Sequence, residues 1–178
     1  MNRRTLLMAT GAASIAGCGA FDRIPIRPPD APYVPTKQEV VEGMLDLARV
    51  SANDVVYDLG CGDGRMVITA ARKYGARGVG IEIDPSLVKL GTENARAAGV
   101  SERTSFRLED MFKTDIREAT VMALYLLPEL MERLKFTFRA QLRPGARIVA
   151  HEFGMGGDWV PDRVATIGSS RILLWEVR

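Results

Sequence analysis

Three glycines at alternate positions, Gly60, Gly62 and Gly64, constrain this chain more than any other feature of its sequence. They follow a short apolar run, residues 55–59, which includes one acid, Asp58. A helical pattern of apolar residues begins directly after them. Because glycine has no Cβ, such a loop lets the backbone approach a ligand closely, and the order predicts a strand, a tight turn and a helix. The function of the chain therefore depends on which ligand this loop accepts.

Strand and helix patterns alternate along the chain from residue 55 to residue 152. They predict a Rossmann-like, doubly wound α/β fold with a mostly parallel seven-stranded sheet and an antiparallel C-terminal hairpin. The predicted strands are 55–59, 78–83, 104–108, 120–126, 147–152, 164–167 and 172–177, and the predicted helices are 37–49, 65–74, 85–97 and 129–141. Thr36 and Glu39 predict a capping box before the first helix, and Asp84 is the predicted cap of the third. Ligands of such folds bind at the carboxyl ends of the strands, beside the first strand.

The first 17 residues have the pattern of an export signal. Arg3 and Arg4 precede an apolar stretch that is too short for a membrane-spanning helix, which needs about 20 residues. The stretch 15–18 resembles the lipobox of bacterial lipoproteins, in which the cysteine, here Cys18, becomes lipidated, and residues 3–7 resemble a twin-arginine signal. This pattern predicts a lipid-anchored protein of the cell envelope. If translation starts further along the chain, a cytoplasmic protein is expected instead.

Composition limits the partners of the rest of the chain. Residues 18–35 hold five of the nine prolines, which predicts an extended tether before a single folded domain, residues 36–178. The whole chain has a formal charge of +2, and removal of Arg3 and Arg4 leaves a neutral remainder. A neutral domain lacks the positive surface that nucleic-acid binding requires, and a single histidine with two cysteines provides no metal cluster. We therefore expect neither a nucleic-acid partner nor a metal.

Two kinds of cofactor fit a glycine-rich loop of this type. A dinucleotide fold uses the spacing G-x-G-x-x-G, whereas here the third glycine, Gly64, comes one residue early. Asp58 and Asp63 also place carboxylates where a pyrophosphate would be repelled, and their charge suits a ligand that carries an ammonium group. A nicotinamide-dependent oxidoreductase remains the alternative at this point. Arg65 is expected to brace the loop through Asp58 or Asp84.

Residues 58–65, with the sequence DLGCGDGR, resemble the first motif of class I S-adenosylmethionine-dependent methyltransferases. Residues 79–82, 108–111 and 142–149 resemble three later stretches of the same superfamily, so the resemblance extends over about residues 55–178. It implies S-adenosylmethionine as the cofactor and methyl transfer as the activity.

The resemblance also implies a set of cofactor-binding residues at three strand ends. They are Asp58, Gly60, Gly62, Asp63, Glu82, Ile83, Asp110 and Met111. Glu82 would hold both ribose hydroxyls, and Ile83 would pack on the adenine. Asp110 would accept from the adenine amino group, with Glu109 as the alternative. Asp63 would either bind the ammonium of the cofactor or cap the following helix.

Two short stretches bear on the methyl acceptor. Residues 125–128 read YLLP, whereas many methyltransferases of nucleobase amines carry Asn/Asp-Pro-Pro-Tyr there, so the chain departs from that pattern. Residues 32–36 and 125–128, with the DGR ending of the loop, resemble protein-lysine methyltransferases whose relatives modify the ATP synthase c subunit and the adenine nucleotide translocase. This implies a lysine of a protein as the acceptor.

Three residues are the catalytic candidates under this resemblance. Tyr33 and Tyr125 would line the acceptor slot, and Glu152, or in second place His151, would accept a proton. The remaining alternative is a non-catalytic exported lipoprotein that keeps the fold as a binding module, because S-adenosylmethionine is made in the cytoplasm.

Overall fold

Seven strands form one sheet in a computed structural model, which describes residues 28–178. The strands are β1 (Val55–Leu59), β2 (Arg77–Glu82), β3 (Thr104–Leu108), β4 (Val121–Leu124), β5 (Arg147–His151), β6 (Arg163–Ile167) and β7 (Ser170–Glu176). Their order across the sheet is β3-β2-β1-β4-β5-β7-β6. Strands β1 to β5 are parallel, whereas β7 is antiparallel to both β5 and β6. The predicted parallel α/β sheet with a C-terminal hairpin is confirmed.

Four helices cover the sheet on both faces. They are α1 (Gln38–Leu47), α2 (Arg65–Tyr74), α3 (Pro85–Ala97) and α4 (Pro128–Gln141). The side chains of β1 alternate between the two faces of the sheet. Tyr57 and Leu59 belong to the same buried cluster as residues of α4, whereas Val56 belongs to the cluster that contains residues of α1 and α2. A strand that is buried on both faces explains the continuous apolar run in the sequence.

Three local details differ from the sequence expectations. The N-cap of α1 is Lys37, and it makes no side-chain cap bond, so the capping box at Thr36 was wrong. The Thr36 carbonyl instead accepts a hydrogen bond from Arg65 at 2.6 Å, which places Thr36 against the loop before α2. The hairpin turn is two residues shorter than the predicted strand bounds imply, because Ser170 already pairs with Ile167. Strand β5 ends at His151 and does not include the next residue.

Strand order reverses beside β1, and this position determines where a ligand can bind. The chain proceeds outward from β1 to β3 and then returns to β4 on the other side of β1. The loops after β1 and β4 therefore diverge, and they leave a cleft at the carboxyl edge of the sheet. None of the helices between residues 28 and 178 has the length and apolarity needed to cross a membrane.

Candidate functional site

A cavity of about 270 Å³ lies in this cleft. Nine of the eleven residues predicted for the site line it: Tyr33, Asp58, Gly60, Gly62, Asp63, Glu82, Ile83, Met111 and Tyr125. The other two, Asp110 and Glu152, are not among its lining residues. Residues 29–35, which the sequence assigned to a tether, also line the cavity, so this part of the tether lies against the site.

The glycine loop needs glycine for two separate reasons. Gly60, Gly62 and Gly64 have φ values of +76°, +54° and +80°, a region that residues with a side chain rarely adopt. A Cβ at Gly62 would also lie 2.5 Å from the Tyr33 ring, and one at Gly64 would overlap the Phe106 ring. The loop is therefore tightly packed by aromatic rings on two sides as well as being tightly turned.

Glu82 joins the glycine loop to the loop after β2. One carboxylate oxygen accepts from the Gly62 N–H at 3.0 Å, and the other accepts from the N–H groups of Ile83 at 2.7 Å and Asp84 at 3.1 Å. The side chain is buried yet borders the cavity. Glu82 thus fixes the shape of the site in addition to its predicted contact with the ribose.

Asp58 is a buried acid beside other acids. Burial raises its pKa well above the usual 3.8, and the neighbouring carboxylates of Glu82 and Asp63 raise it further. No side chain among residues 28–178 contributes a lowering of this pKa. A cationic ligand in the cavity would supply the missing positive charge, so this group of acids fits a cofactor that carries an ammonium and a sulfonium.

Asp63 and Arg65 form a planar ion pair at the start of α2. The Arg65 Nε donates to Asp63 Oδ1 at 3.0 Å and Nη2 donates to Oδ2 at 2.6 Å. Burial alone would raise the pKa of Asp63, but the hydrogen bonds from Arg65 lower it overall. The expected bracing role of Arg65 is confirmed, but its partner is Asp63 and not Asp58 or Asp84. Asp84 instead caps α3, as expected, by accepting from the Ser86 N–H at 2.8 Å.

The loop after β3 holds the residues predicted to contact the adenine. Met111 lines the main cavity, and Glu109 lines a small cleft beside it. The Asp110 carboxylate accepts from the Phe112 N–H at 3.0 Å, and its Oδ2 lies 3.9 Å from Lys113 Nζ. The contact between Asp110 and the adenine stays a prediction, as does the choice between Asp110 and Glu109.

An aromatic cluster forms the wall on the β4–β5 side. The rings of Tyr125 and His151 lie 4.2 Å apart, and Phe153 stacks nearly parallel to Tyr125 at 6.4 Å. Both ring nitrogens of His151 are buried without a hydrogen-bond partner in the described part of the chain. Burial lowers the pKa of His151 more than the neighbouring Glu152 raises it, which favours the neutral ring.

Sequence reasoning did not select Phe153, although it lines the cavity beside Tyr125. The signal was its position two residues after the end of a central strand. Asp30 was also missed, because it lies among prolines without a recognisable motif.

Glu152 is not among the lining residues of the cavity, although its Oε1 lies 3.7 Å from His151 Nε2. Its carboxylate accepts from the Arg171 N–H at 2.9 Å, and its carbonyl accepts from Arg171 Nη2 at 2.7 Å. Its φ of +63° turns the chain directly after β5. Glu152 therefore does not line the cavity with Tyr33 and Tyr125, and it is separated from Tyr125 by the ring of His151.

Residues 58–163 match the family model of the ANTKMT methyltransferase domain. The chain belongs to this methyltransferase family. The chain is 44% identical to a protein-lysine N-methyltransferase of Saccharolobus islandicus, over 78% of this chain and 86% of that one. It is also 34% identical to the adenine nucleotide translocase lysine N-methyltransferase of Mus musculus, over 88% of this chain and 67% of the mouse protein.

A solved structure supports the same conclusion. The crystal structure of an RNA methyltransferase from Salinibacter ruber in complex with S-adenosyl-L-homocysteine is 51% identical, with a TM-score of 0.79 over 81% of this chain and 94% of that one. The protein is an S-adenosylmethionine-dependent methyltransferase, as the motifs implied. The relatives named here are all methyltransferases, so the oxidoreductase alternative has no support.

The described residues fit this cofactor. Asp58, Asp63 and Glu82 place three carboxyl groups at the cavity beside the glycine loop, and Gly60 and Gly62 are also among its lining residues. When bound, the cofactor supplies an electrophilic methyl group on a sulfonium. Within residues 28–178, no group of three or more His, Cys, Asp or Glu side chains is arranged to hold a metal ion.

Proposed function

We propose that this methyltransferase modifies a lysine side chain of a protein. The observation that carries the proposal is the apolar part of the cavity lining. It consists of aromatic and aliphatic side chains that include Tyr33, Val34, Tyr125, Leu126, Leu127 and Phe153. Two of the named relatives are lysine N-methyltransferases. A lysine side chain has a long apolar stem, which such a lining can accommodate.

The charges around the cavity also support lysine. Its lining includes five acids, Asp30, Asp58, Asp63, Glu82 and Asp84. Arg65 is the only Lys or Arg side chain among the described lining residues, and it is paired with Asp63. Such a mouth attracts an ammonium group and disfavours a polyanion.

The chemistry requires a neutral amine with its lone pair directed at the methyl group. An apolar slot lowers the pKa of an incoming lysine, because burial disfavours the charged form. In this proposal Tyr33, Tyr125 and Phe153 exclude water and hold the amine in line, which supplies much of the rate through orientation. Glu152 is held by Arg171 outside the cavity, so the proposal assigns the proton to solvent and not to Glu152.

RNA is the second candidate acceptor, because the similar solved structure is described as an RNA methyltransferase. The experiment is incubation of the purified protein with tritiated S-adenosylmethionine and an extract of the host organism. We expect label that survives ribonuclease, is lost with protease, and elutes as methyl-lysine after acid hydrolysis. Label that ribonuclease removes would reject the lysine acceptor in favour of RNA.

We also propose that the leader is used and that Cys18 carries a lipid. Residues 1–17 and Cys18 lie outside the described residues, so the proposal is supported by the sequence pattern alone. Incorporation of labelled palmitate into the wild type but not into a Cys18→Ser variant is the expected result. If the mature protein is lipidated yet an extract of the envelope shows no methyl transfer, the non-catalytic binding module is the better interpretation. Absence of lipid in the wild type would contradict the anchor.

A further inference from the structure

One side of the cofactor cavity is covered by residues 29–36, which we name the strap. All eight of its residues line the cavity, and none of them lies in a helix or a strand. Within the described part of the chain, residues 31–36 make no hydrogen bond between their own backbone and another backbone group. Sheet pairing therefore does not hold the strap, and its position depends on side-chain contacts.

A single guanidinium connects the strap to the glycine loop. Arg65 Nη1 donates to the carbonyl oxygen of Thr36, at the end of the strap, at 2.6 Å. The other side of the same guanidinium makes the two-pronged contact with Asp63 in the loop. Charge-assisted, two-pronged contacts of this kind are stronger than neutral hydrogen bonds and fix orientation.

Tyr33 forms a second connection between the strap and the loop. Its ring lies directly on Gly62, close enough that a Cβ there would be 2.5 Å away. Burial together with the neighbouring Asp63 carboxylate raises the pKa of Tyr33. The strap thus contacts the same loop whose glycine backbone faces the cofactor site.

We propose that Arg65 is a positioning residue that holds the strap closed over the bound cofactor, so that cofactor release requires the contact between Arg65 and Thr36 to break. The proposal rests on the methyltransferase function and adds the residue that controls cofactor retention. It explains why a segment without secondary structure adopts one position over the cavity. The proposal concerns retention of the cofactor, whereas the role of Tyr33 toward the acceptor belongs to the proposed function above.

The test is the rate at which tritiated S-adenosylhomocysteine leaves the full-length protein during a chase with unlabelled compound. Arg65→Lys keeps the positive charge but loses the planar fork, so it cannot hold Asp63 and the Thr36 carbonyl in the same way. We expect release to be about 10-fold faster in this variant, the effect of losing one charge-assisted hydrogen bond. A wild-type release rate would overturn the proposal.

A second readout separates the strap from the loop. Hydrogen exchange of peptides that contain residues 29–36 should slow when S-adenosylhomocysteine is added to the wild type, and this slowing should be largely lost in Arg65→Lys. Fast release with full protection of the strap would also overturn the proposal, because Arg65 would then act on the loop alone. Failure of the wild type to bind S-adenosylhomocysteine would contradict the methyltransferase function instead.

The chain offers a matched control in Arg117→Lys. Arg117 makes the same fork to an aspartate two residues earlier, with Nε 2.9 Å from Asp115 Oδ1, but both side chains are exposed and do not line the cavity. We expect no change in release or in strap exchange. If Arg65→Lys does not fold, Tyr33→Leu replaces it, since the ring that lies on Gly62 is then lost. That variant should release the ligand about 3-fold faster, because part of the apolar contact between the strap and the loop is removed, and an unchanged rate would overturn the proposal.

Discussion

Gly62 carries two constraints that a single pair of variants can separate. Its φ of +54° disfavours any side chain, and the Tyr33 ring occupies the place of a Cβ. Gly99 has a φ of +71°, but nothing lies within 4 Å of the place where a Cβ would be, so it carries the first constraint alone.

We therefore expect Gly99→Ala to lower the free energy of unfolding by about 1–2 kcal/mol, the cost of a left-handed residue. Gly62→Ala should cost about 1–3 kcal/mol more because of the clash, and it should weaken S-adenosylhomocysteine binding. Urea unfolding and calorimetry measure the two effects. In the double variant Gly62→Ala/Tyr33→Ala, the additional loss of stability that the clash causes should largely disappear. Equal costs for Gly62→Ala and Gly99→Ala would show that the ring does not press on the loop.

The buried carboxyl of Asp58 is expected to release a proton when the ligand binds. Its raised pKa means that the carboxyl holds a proton at pH values above the usual 3.8. An ammonium group bound beside it favours the charged form, so the pKa falls in the complex and the group releases a proton. At pH values low enough for the carboxyl of the unliganded protein to hold its proton, binding of S-adenosylhomocysteine should release a proton, which calorimetry in buffers of different ionisation enthalpy measures. Asp58→Asn should abolish this release and weaken binding about 10-fold or more, as expected for a lost charged contact. Identical proton release in the variant would assign it to another group.

At the scale of elements, the opposite edge of the sheet is held by a buried ion pair. Arg147, at the start of β5, pairs with Asp54, just before β1, and Thr120 donates to the same Asp54 oxygen at 2.7 Å. Arg147 also donates to the Ala48 carbonyl after α1 at 2.6 Å. These contacts join three elements at the edge that lies away from the cavity.

Asp54→Asn should therefore destabilise the protein by about 3 kcal/mol, because it leaves a largely enclosed arginine without its charge partner. S-adenosylhomocysteine affinity should not change. Burial raises the pKa of Asp54, but hydrogen bonds from Thr120 and Ser51 and the charge of Arg147 lower it overall. Its stabilising contribution is thus present above pH 3.8 and is lost as the pH falls through the lower folded value. Asp115→Asn, at an exposed pair, is the control and should leave the free energy of unfolding nearly unchanged. A similar cost for both variants in urea unfolding at neutral pH would contradict the assignment.

The elements that sequence patterns predicted correctly are those with strong local signals. The bounds of β1 and α2 follow from a continuous apolar run and from the glycines before Arg65. Asp84 followed by proline identified the start of α3. The capping box at Thr36 failed because a distant guanidinium, that of Arg65, takes its carbonyl, and no local pattern contains that contact.

The site shows the same division. Residues inside a motif, such as Asp58 and Glu82, line the cavity as expected. Phe153 and Asp30 were missed because their location depends on how the loops close around the cleft. Glu152 has the right residue type at a strand end, but its backbone has a positive φ and its carboxylate accepts from the Arg171 N–H. A predicted strand end therefore locates a residue at one edge of the sheet. The direction of its side chain depends on backbone geometry that the sequence pattern does not specify.

At the scale of the whole molecule, ligand binding and folding are coupled through Glu82. This carboxylate accepts three backbone N–H groups from two loops, and both loops border the cavity. A ligand that binds only the folded protein stabilises it by about 2.7 kcal/mol at 100 times its Kd. For a domain of this size that corresponds to a rise of roughly 5–10 °C in the unfolding midpoint.

Glu82→Gln tests this coupling with little change in shape. The amide replaces one acceptor oxygen by a donor, which then faces a backbone N–H, so the loops lose part of their connection even without ligand. We expect a lower midpoint for the unliganded variant in differential scanning fluorimetry, and a rise of less than about 2 °C at the ligand concentration that gives the wild type its full rise. Glu102→Gln, at an exposed position between α3 and β3, should behave as the wild type. If the unliganded variant has the wild-type midpoint but the rise with ligand is lost, Glu82 contacts the ligand and does not connect the loops. If the ligand raises the midpoint of the variant as much as that of the wild type, Glu82 does not contribute to cofactor binding.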